Sequence, residues 1–268
     1  MSARAPFKPD SKLVTHVRPA VNVEARKGGA KPSLLILHYT GMPSAAKAIN
    51  WLACEESRVS CHYVIDEAGI VTQMVPEFQR AWHAGVSSWH GETDINSHSI
   101  GIEIQNPGHQ HGYPDFPAAQ MKAVLKLGKD IARRHRIKPE RVLAHSDIAP
   151  ERKIDPGEKF AWGMLARAGL GLWVRPSPVV ANDAGLGSQD APKTAPKGVA
   201  ERVRQCQRLL SAYGYGVVET GVLDKQTEMA LRAFQLHFRP RRVDGRLDLS
   251  TERTLLRLCH ALKTKLVA

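Results

Sequence analysis

Two stretches of this sequence bring together side chains able to hold a metal ion. The first, residues 142–155, reads V-L-A-H-S-D-I-A-P-E-R-K-I-D. Its apolar start, Val142 to Ala144, is a short strand that delivers His145 at its end, and the loop beyond returns Lys153 and Asp155 on alternate positions. The second, Ser33 to Gly41, is a buried apolar run that ends in His38. Two strand-end imidazoles and a loop carboxylate form a His2Asp set with a fourth position open to water, which is the catalytic form of a zinc site. Either histidine alone reads as a hydrogen-bonded core residue. Both together, with Asp155 in step, read as metal ligands.

Other residues around this set suit hydrolysis. In S-I-G-I-E-I-Q, residues 99–105, the isoleucines take one face of a strand, and Gly101, Glu103 and Gln105 take the other. Glu103 is expected to be the general base, with the small Gly101 leaving room for substrate beside it. Lys153 is expected to aim its ammonium at a tetrahedral oxyanion. Asp147 reads as a partner that orients an imidazole.

The elements that must position these groups follow from pattern. A strand over 33–39 leads through Thr40–Ser44 into a helix near 44–54, with Ser44 as N-cap and Ala45, Ile49, Leu52 and Ala53 inward. Residues 59–66 and 70–75 form a hairpin about Glu67-Ala68-Gly69. Residues 76–98 lack periodicity but hold Trp82, His83, Trp89, His90 and His98, and such long irregular segments are usually functional. A Pro/Gly/His loop over 106–117 precedes an amphipathic helix over 118–135, with Met121, Val124, Leu125, Gly128 and Ile131 on one stripe. A helix near 158–168 closes the region. The fold class is α/β: a central mixed sheet flanked by helices, followed by a small three-helix domain.

The expected divisions are a lead-in over 1–32, a catalytic domain over 33–174, a Pro/Gly-rich linker over 175–200 and a helical domain over 201–268. The last contains a repeat, G-x-L-D-x-x-T-E-x-x-L, at Gly221–Leu231 and again at Gly245–Leu255. Its aspartates are placed to cap helices, expected near 201–212, 224–237 and 249–262. Cys206 and Cys259 read as buried apolar residues.

The chain has 268 residues, is 43% hydrophobic and carries a formal charge of +12, of which the helical domain contributes +6. That charge suits an anionic partner: nucleic acid, an anionic membrane face or a carboxylate-rich wall polymer. No apolar run reaches membrane-spanning length, so no integral membrane association is expected. Four scattered cysteines make neither a disulfide framework nor a thiolate metal site. Residues 1–10 lack the apolar stretch of a secretory signal. A cytoplasmic location is the default expectation, with export to the periplasm or wall by a non-classical route a close alternative.

The motifs L-H-Y-T, S-C-H-Y-V-I, A-W-H-A-G, H-S-I-G-I-E-I and A-H-S-D-I-A-P-E-R-K-I-D-P-G, spread over roughly 33–170, resemble zinc-dependent N-acetylmuramoyl-L-alanine amidases of the AmpD/AmiD type, which share the peptidoglycan recognition protein fold. L-L-x-x-Y-G-Y, G-x-L-D-x-x-T and A-F-Q resemble a peptidoglycan-binding helical module. The resemblance implies cleavage of the amide between N-acetylmuramic acid and L-alanine in peptidoglycan or muropeptides. It implies zinc on His38, His145 and Asp155, with Glu103 and Lys153 catalytic. Tyr39, His62, Trp82, His83 and Asn96 are expected to touch substrate. Cys61 departs from the pattern, because many recognition-protein-type amidases carry an assisting Tyr there; Tyr63, on the same sheet face, is the nearest substitute. Two rival readings stand beside this one. A binding or sensing protein on the same fold would lack a ligand, and this sequence keeps all three. A nucleic-acid binder would expose Arg232, Gln235, His237 and Arg239 on a recognition face.

Overall fold

The strand that ends in His38 is apolar on both faces because it lies inside a sheet. This is β3, Leu34–Tyr39, with Leu34 to His38 all buried. The computed structural model describes residues 7–187 and 197–267. The chain divides into two compact units: Met1–Ser87, Asp94–His145 and Lys159–Leu172 in the first, and Ser88–Thr93, Ser146–Glu158 and Trp173–Ala268 in the second.

The first unit opens with β1 His16–Val17 and β2 Val23–Ala25, then β3, helix α1 Ala45–Ala53, β4 Tyr63–Ile65, β5 Val71–Gln73 and β6 Gln79–Ala81. A single helical turn, α2 Ile95–His98, leads straight into β7 Ser99–Ile104, followed by α3 Ala118–His135 and β8 Val142–Ala144. One more turn, α4 His145–Ile148, starts at the end of β8, and α5 Trp162–Arg167 follows later. The six-stranded sheet runs β1-β5-β4-β7-β3-β8, with only β4–β5 antiparallel. Central parallel strands are covered on both faces and read as continuous apolar runs.

Sequence and structure differ where elements are very short. The stretch expected as an irregular lead-in supplies β1, parallel to β5, and β2, antiparallel to β6, which lies inside the segment without periodicity. Ala20 and Val23 pack with Leu52, Cys61, Val64 and Met74 in one apolar cluster. Two- and three-residue strands carry no readable alternation, so only their partners reveal them. Ser44 does cap α1, accepting from the Lys47 N–H at 3.3 Å. Ala48, rather than Ala45, is buried on that helix, and Leu127 replaces Leu125 on the inner stripe of α3.

The second unit contains α6 Lys197–Tyr213, α7 Lys225–Phe238 and α8 Leu249–Val267. The sequence repeat has one physical cause. Gln207 accepts from the Thr220 and Gly221 N–H groups and donates to the Val222 carbonyl; Gln235 accepts from Asp244 and Gly245 and donates to the Arg246 carbonyl. Each buried glutamine therefore holds one copy of the G-x-L-D turn. Asp224 and Asp248 then accept from the N–H groups of Thr227 and Thr251, at 2.8 and 2.7 Å, as caps. Part of the expected linker is ordered in this unit: Ser177 N–H donates to Thr254 Oγ1, and Leu186 pairs with Leu247. Gln235, His237 and Arg239 are buried, so they present no recognition face to a nucleic acid. Residues 188–196 of the linker lie outside the described residues.

Candidate metal centre and active site

The sheet register builds the first half of the site. β3 lies between β7 and β8, and His38 is the direct partner of Glu103 on β7. Paired residues on neighbouring strands project to the same face, about 4.8 Å apart. Leu37 pairs with Ala144, so His145 follows immediately past the last paired position of β8. The two imidazoles meet with their Nδ1 atoms 2.9 Å apart and their ring planes at 70°.

The third residue arrives by a short return of the chain. Ser146 N–H donates to the Asp155 carbonyl at 3.0 Å, which ties Asp155 to the residue after His145. Inside that return, the Arg152 and Lys153 N–H groups both donate to the Ala149 carbonyl. His38, His145 and Asp155 are all buried, and one ligand atom from each lies within 4.8 Å of the others. His38, His145 and Asp155 thus form a buried cluster whose ligand atoms are close enough to hold one metal ion.

The hydrogen bonds fix which nitrogens face the metal position. His145 Nε2 lies 3.2 Å from the Ala84 carbonyl, which can only accept, so Nε2 carries the proton and Nδ1 the lone pair. His38 Nε2 lies 3.0 Å from His83 Nδ1; His83 Nε2 lies 3.1 Å from Ser99 Oγ; and Ser99 Oγ donates to the Ile95 carbonyl at 2.6 Å. Read back from that carbonyl, each donor has one acceptor: His83 Nε2–H to Ser99, and His38 Nε2–H to His83. His38 Nδ1 then also presents a lone pair. Two lone pairs 2.9 Å apart beside a carboxylate repel unless a cation lies among them. The donor set therefore fits a metal ion.

His83, expected at the substrate, has a different task. It is buried and sits over Gly101, where an added Cβ would fall 2.5 Å from its Cγ. The space expected beside Glu103 for substrate is filled by this ring. Burial first, then the neighbouring histidines, hold His83 well below the ordinary histidine range, so it stays neutral and can accept from His38. Asn96 also holds the backbone: its side-chain oxygen accepts from the His83 and Ala84 N–H groups at 3.0 and 2.8 Å, fixing the partners of both His38 and His145. His62 is fully buried. Its Nδ1 accepts from Gly101 N–H at 3.0 Å and its Nε2 lies 3.2 Å from the Gln79 carbonyl; burial and then Arg26 push its pKa down to about 3. It is a neutral core residue.

Two expected substrate contacts remain accessible. Trp82 is half-buried, and its indole N–H has no hydrogen-bond partner among the described residues. Tyr39 is half-buried, with its hydroxyl 3.1 Å from His109 Nδ1, and His109 stacks on Tyr113 at 4.0 Å. Trp89 is 1% exposed and packs on Tyr213 and Tyr215, so it belongs to the core of the second unit.

Glu103 is half-buried, with Oε2 shielded from solvent. Lys153 is half-buried two positions before Asp155. Cys61 is buried, and burial followed by the Glu103 carboxylate pushes its thiol well above the ordinary range, so it remains a neutral thiol. Tyr63 does not take over from it. Tyr63 pairs with Ile102, placing it on the face opposite Glu103, and its hydroxyl donates to Glu77 Oε1 at 2.6 Å. Burial alone would raise the Glu77 pKa, but Arg134, His135 and Tyr63 hold it at about 2. Asp147 does hold an imidazole, but that of His237 rather than that of His38 or His145.

A mixed sheet carrying a His-His-Asp set beside a carboxylate is the framework of a metal-dependent hydrolase, and the comparisons specify which. The N-acetylmuramoyl-L-alanine amidase family matches residues 28–158, and the putative peptidoglycan binding domain family matches residues 199–255. The N-acetylmuramoyl-L-alanine amidase AmiD of Escherichia coli is 36% identical over 243 residues, covering 85% of this chain and 83% of that protein. The structure of AmiD from E. coli in complex with the substrate anhydro-N-acetylmuramic acid-L-Ala-D-gamma-Glu-L-Lys superposes with a TM-score of 0.70 at 34% identity, over 89% of this chain and 92% of that one. AmpDh3 from Pseudomonas aeruginosa, in complex with anhydromuramic pentapeptide, gives 0.69 at 32% identity, over 89% and 95%. The chain belongs to the N-acetylmuramoyl-L-alanine amidases. It is an amidase of the AmiD type, acting on the bond between N-acetylmuramic acid and L-alanine, with an appended putative peptidoglycan binding domain.

Proposed function

We propose that this amidase holds zinc on His38 Nδ1, His145 Nδ1 and a carboxylate oxygen of Asp155, and that its substrates are anhydro-muropeptides of the kind named for its relatives' complexes. The observation that carries the metal reading is the pair of imidazole nitrogens facing each other at 2.9 Å beside a buried carboxylate. Two nitrogens and one oxygen are a borderline donor set suited to zinc. Bound there, zinc supplies Lewis-acid polarisation of the scissile carbonyl and lowers the pKa of water at the fourth position.

The chain's own residues supply the rest. Glu103, level with His38 across the sheet, takes a proton from the attacking water and returns it to the L-alanine nitrogen as that amine leaves. Lys153 offers its ammonium to the oxyanion that forms on the lactyl carbonyl. The bond between that carbonyl carbon and the alanine nitrogen breaks, leaving a lactyl carboxylate and a free α-amine. The His83–Ser99–Ile95 chain and the Ala84 carbonyl keep both imidazoles in one tautomer throughout. Half-buried Trp82 and Tyr39 offer flat surfaces to the sugar or peptide. The helical domain binds peptidoglycan, favoured by its positive charge. A binding-only role has no support, since the ligand set is complete and the relatives are amidases. Elemental analysis of the purified protein is expected to give one zinc per chain. Full activity after exhaustive chelation would contradict the metal reading.

A further inference from the structure

The loop that carries Asp155 belongs to the second unit, and the reason is a buried carboxylate. Asp147, two residues after His145, is 1% exposed. It accepts from the Tyr215 hydroxyl at 2.6 Å and lies 2.7 Å from His237 Nδ1. Tyr215 follows α6, and His237 is on α7. Burial first, then Asp147, hold the Tyr215 phenol well above its ordinary range, so it remains a donor. His237 is buried and stacked on Phe238 at 3.9 Å with planes 9° apart, so its ring is fixed.

The backbone around Asp147 is tied down by the same elements. Ser88 N–H donates to the Ile148 carbonyl at 2.8 Å, and His90 N–H to the Gly214 carbonyl at 2.9 Å. Between them, Trp89 packs edge-on against Tyr213 and Tyr215, with ring centroids 5.1 and 5.2 Å away. Gly214 has φ +137°, and an added Cβ there would strike the Trp89 ring. The Y-G-Y of the sequence is thus two aromatic walls with a residue between them that must lack a side chain.

We propose that Tyr215 and His237 are positioning residues of the metal centre: through Asp147 they fix the His145–Asp155 loop so that both its ligands are preset. Asp147 is joined through Ser146 to His145, and Ser146 N–H holds the Asp155 carbonyl. A fixed Asp147 therefore limits the motion of both ends of the loop. This rests on the zinc reading above, and loss of such supporting partners of a metal site typically costs 10–100-fold in affinity or activity.

The test compares full-length wild type with Tyr215→Phe, His237→Ala and His237→Asn. Tyr215→Phe removes one hydroxyl and keeps the aromatic wall. His237→Asn keeps an N–H donor near the Nδ1 position, whereas His237→Ala does not. Zinc release to a chromogenic chelator, and kcat and KM on a soluble anhydro-muropeptide, are read at equal far-ultraviolet circular dichroism. The expected result is release about tenfold faster in Tyr215→Phe and His237→Ala, with lower kcat and KM changed by less than about twofold. His237→Asn is expected to recover much of the loss. Wild-type release rates in both Tyr215→Phe and His237→Ala would overturn the proposal. So would equal defects in His237→Ala and His237→Asn, which would mark loss of packing alone. Should His237→Ala not fold, Tyr215→Phe decides. Wild type without zinc would overturn the metal reading and this proposal together.

Discussion

His38→Ala, His145→Ala and Asp155→Ala are each expected to lose the metal and to lower kcat/KM by about 10³-fold or more. A catalytic metal contributes several kcal/mol to charge stabilisation, and each 1.4 kcal/mol is a factor of ten in rate. The three variants are not expected to be equal in fold stability. His38 is buried near the end of β3, between β7 and β8, so its loss leaves a void in the sheet layer and removes one hydrogen-bond partner of the His83 ring. His145→Ala removes the partner of the Ala84 carbonyl. Asp155→Ala keeps the backbone tie to Ser146, because that bond uses the Asp155 carbonyl rather than its side chain. Asp155→Ala should therefore be the best folded of the three and still be metal-poor. Elemental analysis with kinetics on a soluble muropeptide checks this, and full metal occupancy in all three variants would remove the assignment.

Glu103→Ala and Lys153→Ala are expected to keep the metal and lose about 10²–10⁴ in rate, the span for removing an acid/base or an oxyanion group. Glu103 pairs with His38 but is no member of the ligand set, so metal content and turnover should separate. Glu103→Gln keeps the shape and hydrogen bonding of the side chain and removes its basicity, so it should be as impaired as Glu103→Ala. Lys153→Arg should recover only part of the loss, since a planar fork does not replace a compact ammonium. Near wild-type turnover in any Glu103 variant would take that residue out of the reaction.

The parts of this molecule that can be read from sequence are those whose causes are local. A continuous apolar run ending in His38 reports a strand covered on both faces. The 3.6-residue stripe from Met121 to Ile131 gives α3 over the span observed, 118–135. Ser44, Asp224 and Asp248 announce helix starts because a cap satisfies N–H groups only two or three residues ahead. The G-x-L-D repeat is legible as a repeat, but the glutamine that builds each turn lies on another part of the chain. His83 and Asn96 stand out as polar residues in an irregular segment, which suggests ligand contact. Only the fold shows that their partners are His38 and the loop backbone.

The Asp147 network is hidden for the same reason. Its partners are 68 and 90 positions away, and nothing local in S-D-I-A-P marks the carboxylate as the anchor of a loop. Composition and the Pro/Gly-rich stretch after Arg175 suggest a helical domain on a tether. Composition gives no sign that Ser146–Glu158, which carries Asp155, groups with the three helices.

The most direct test is the identity of the products from a defined anhydro-muropeptide. Mass spectrometry after incubation with the purified protein is predicted to show two species: the anhydro-sugar ending in a free lactyl carboxylate, and the intact stem peptide beginning with a free L-alanine amine. Their masses should sum to that of the substrate plus one water. Cleavage inside the stem peptide, or at a glycosidic bond, would contradict this reading, as would unaltered substrate from protein shown to carry its metal.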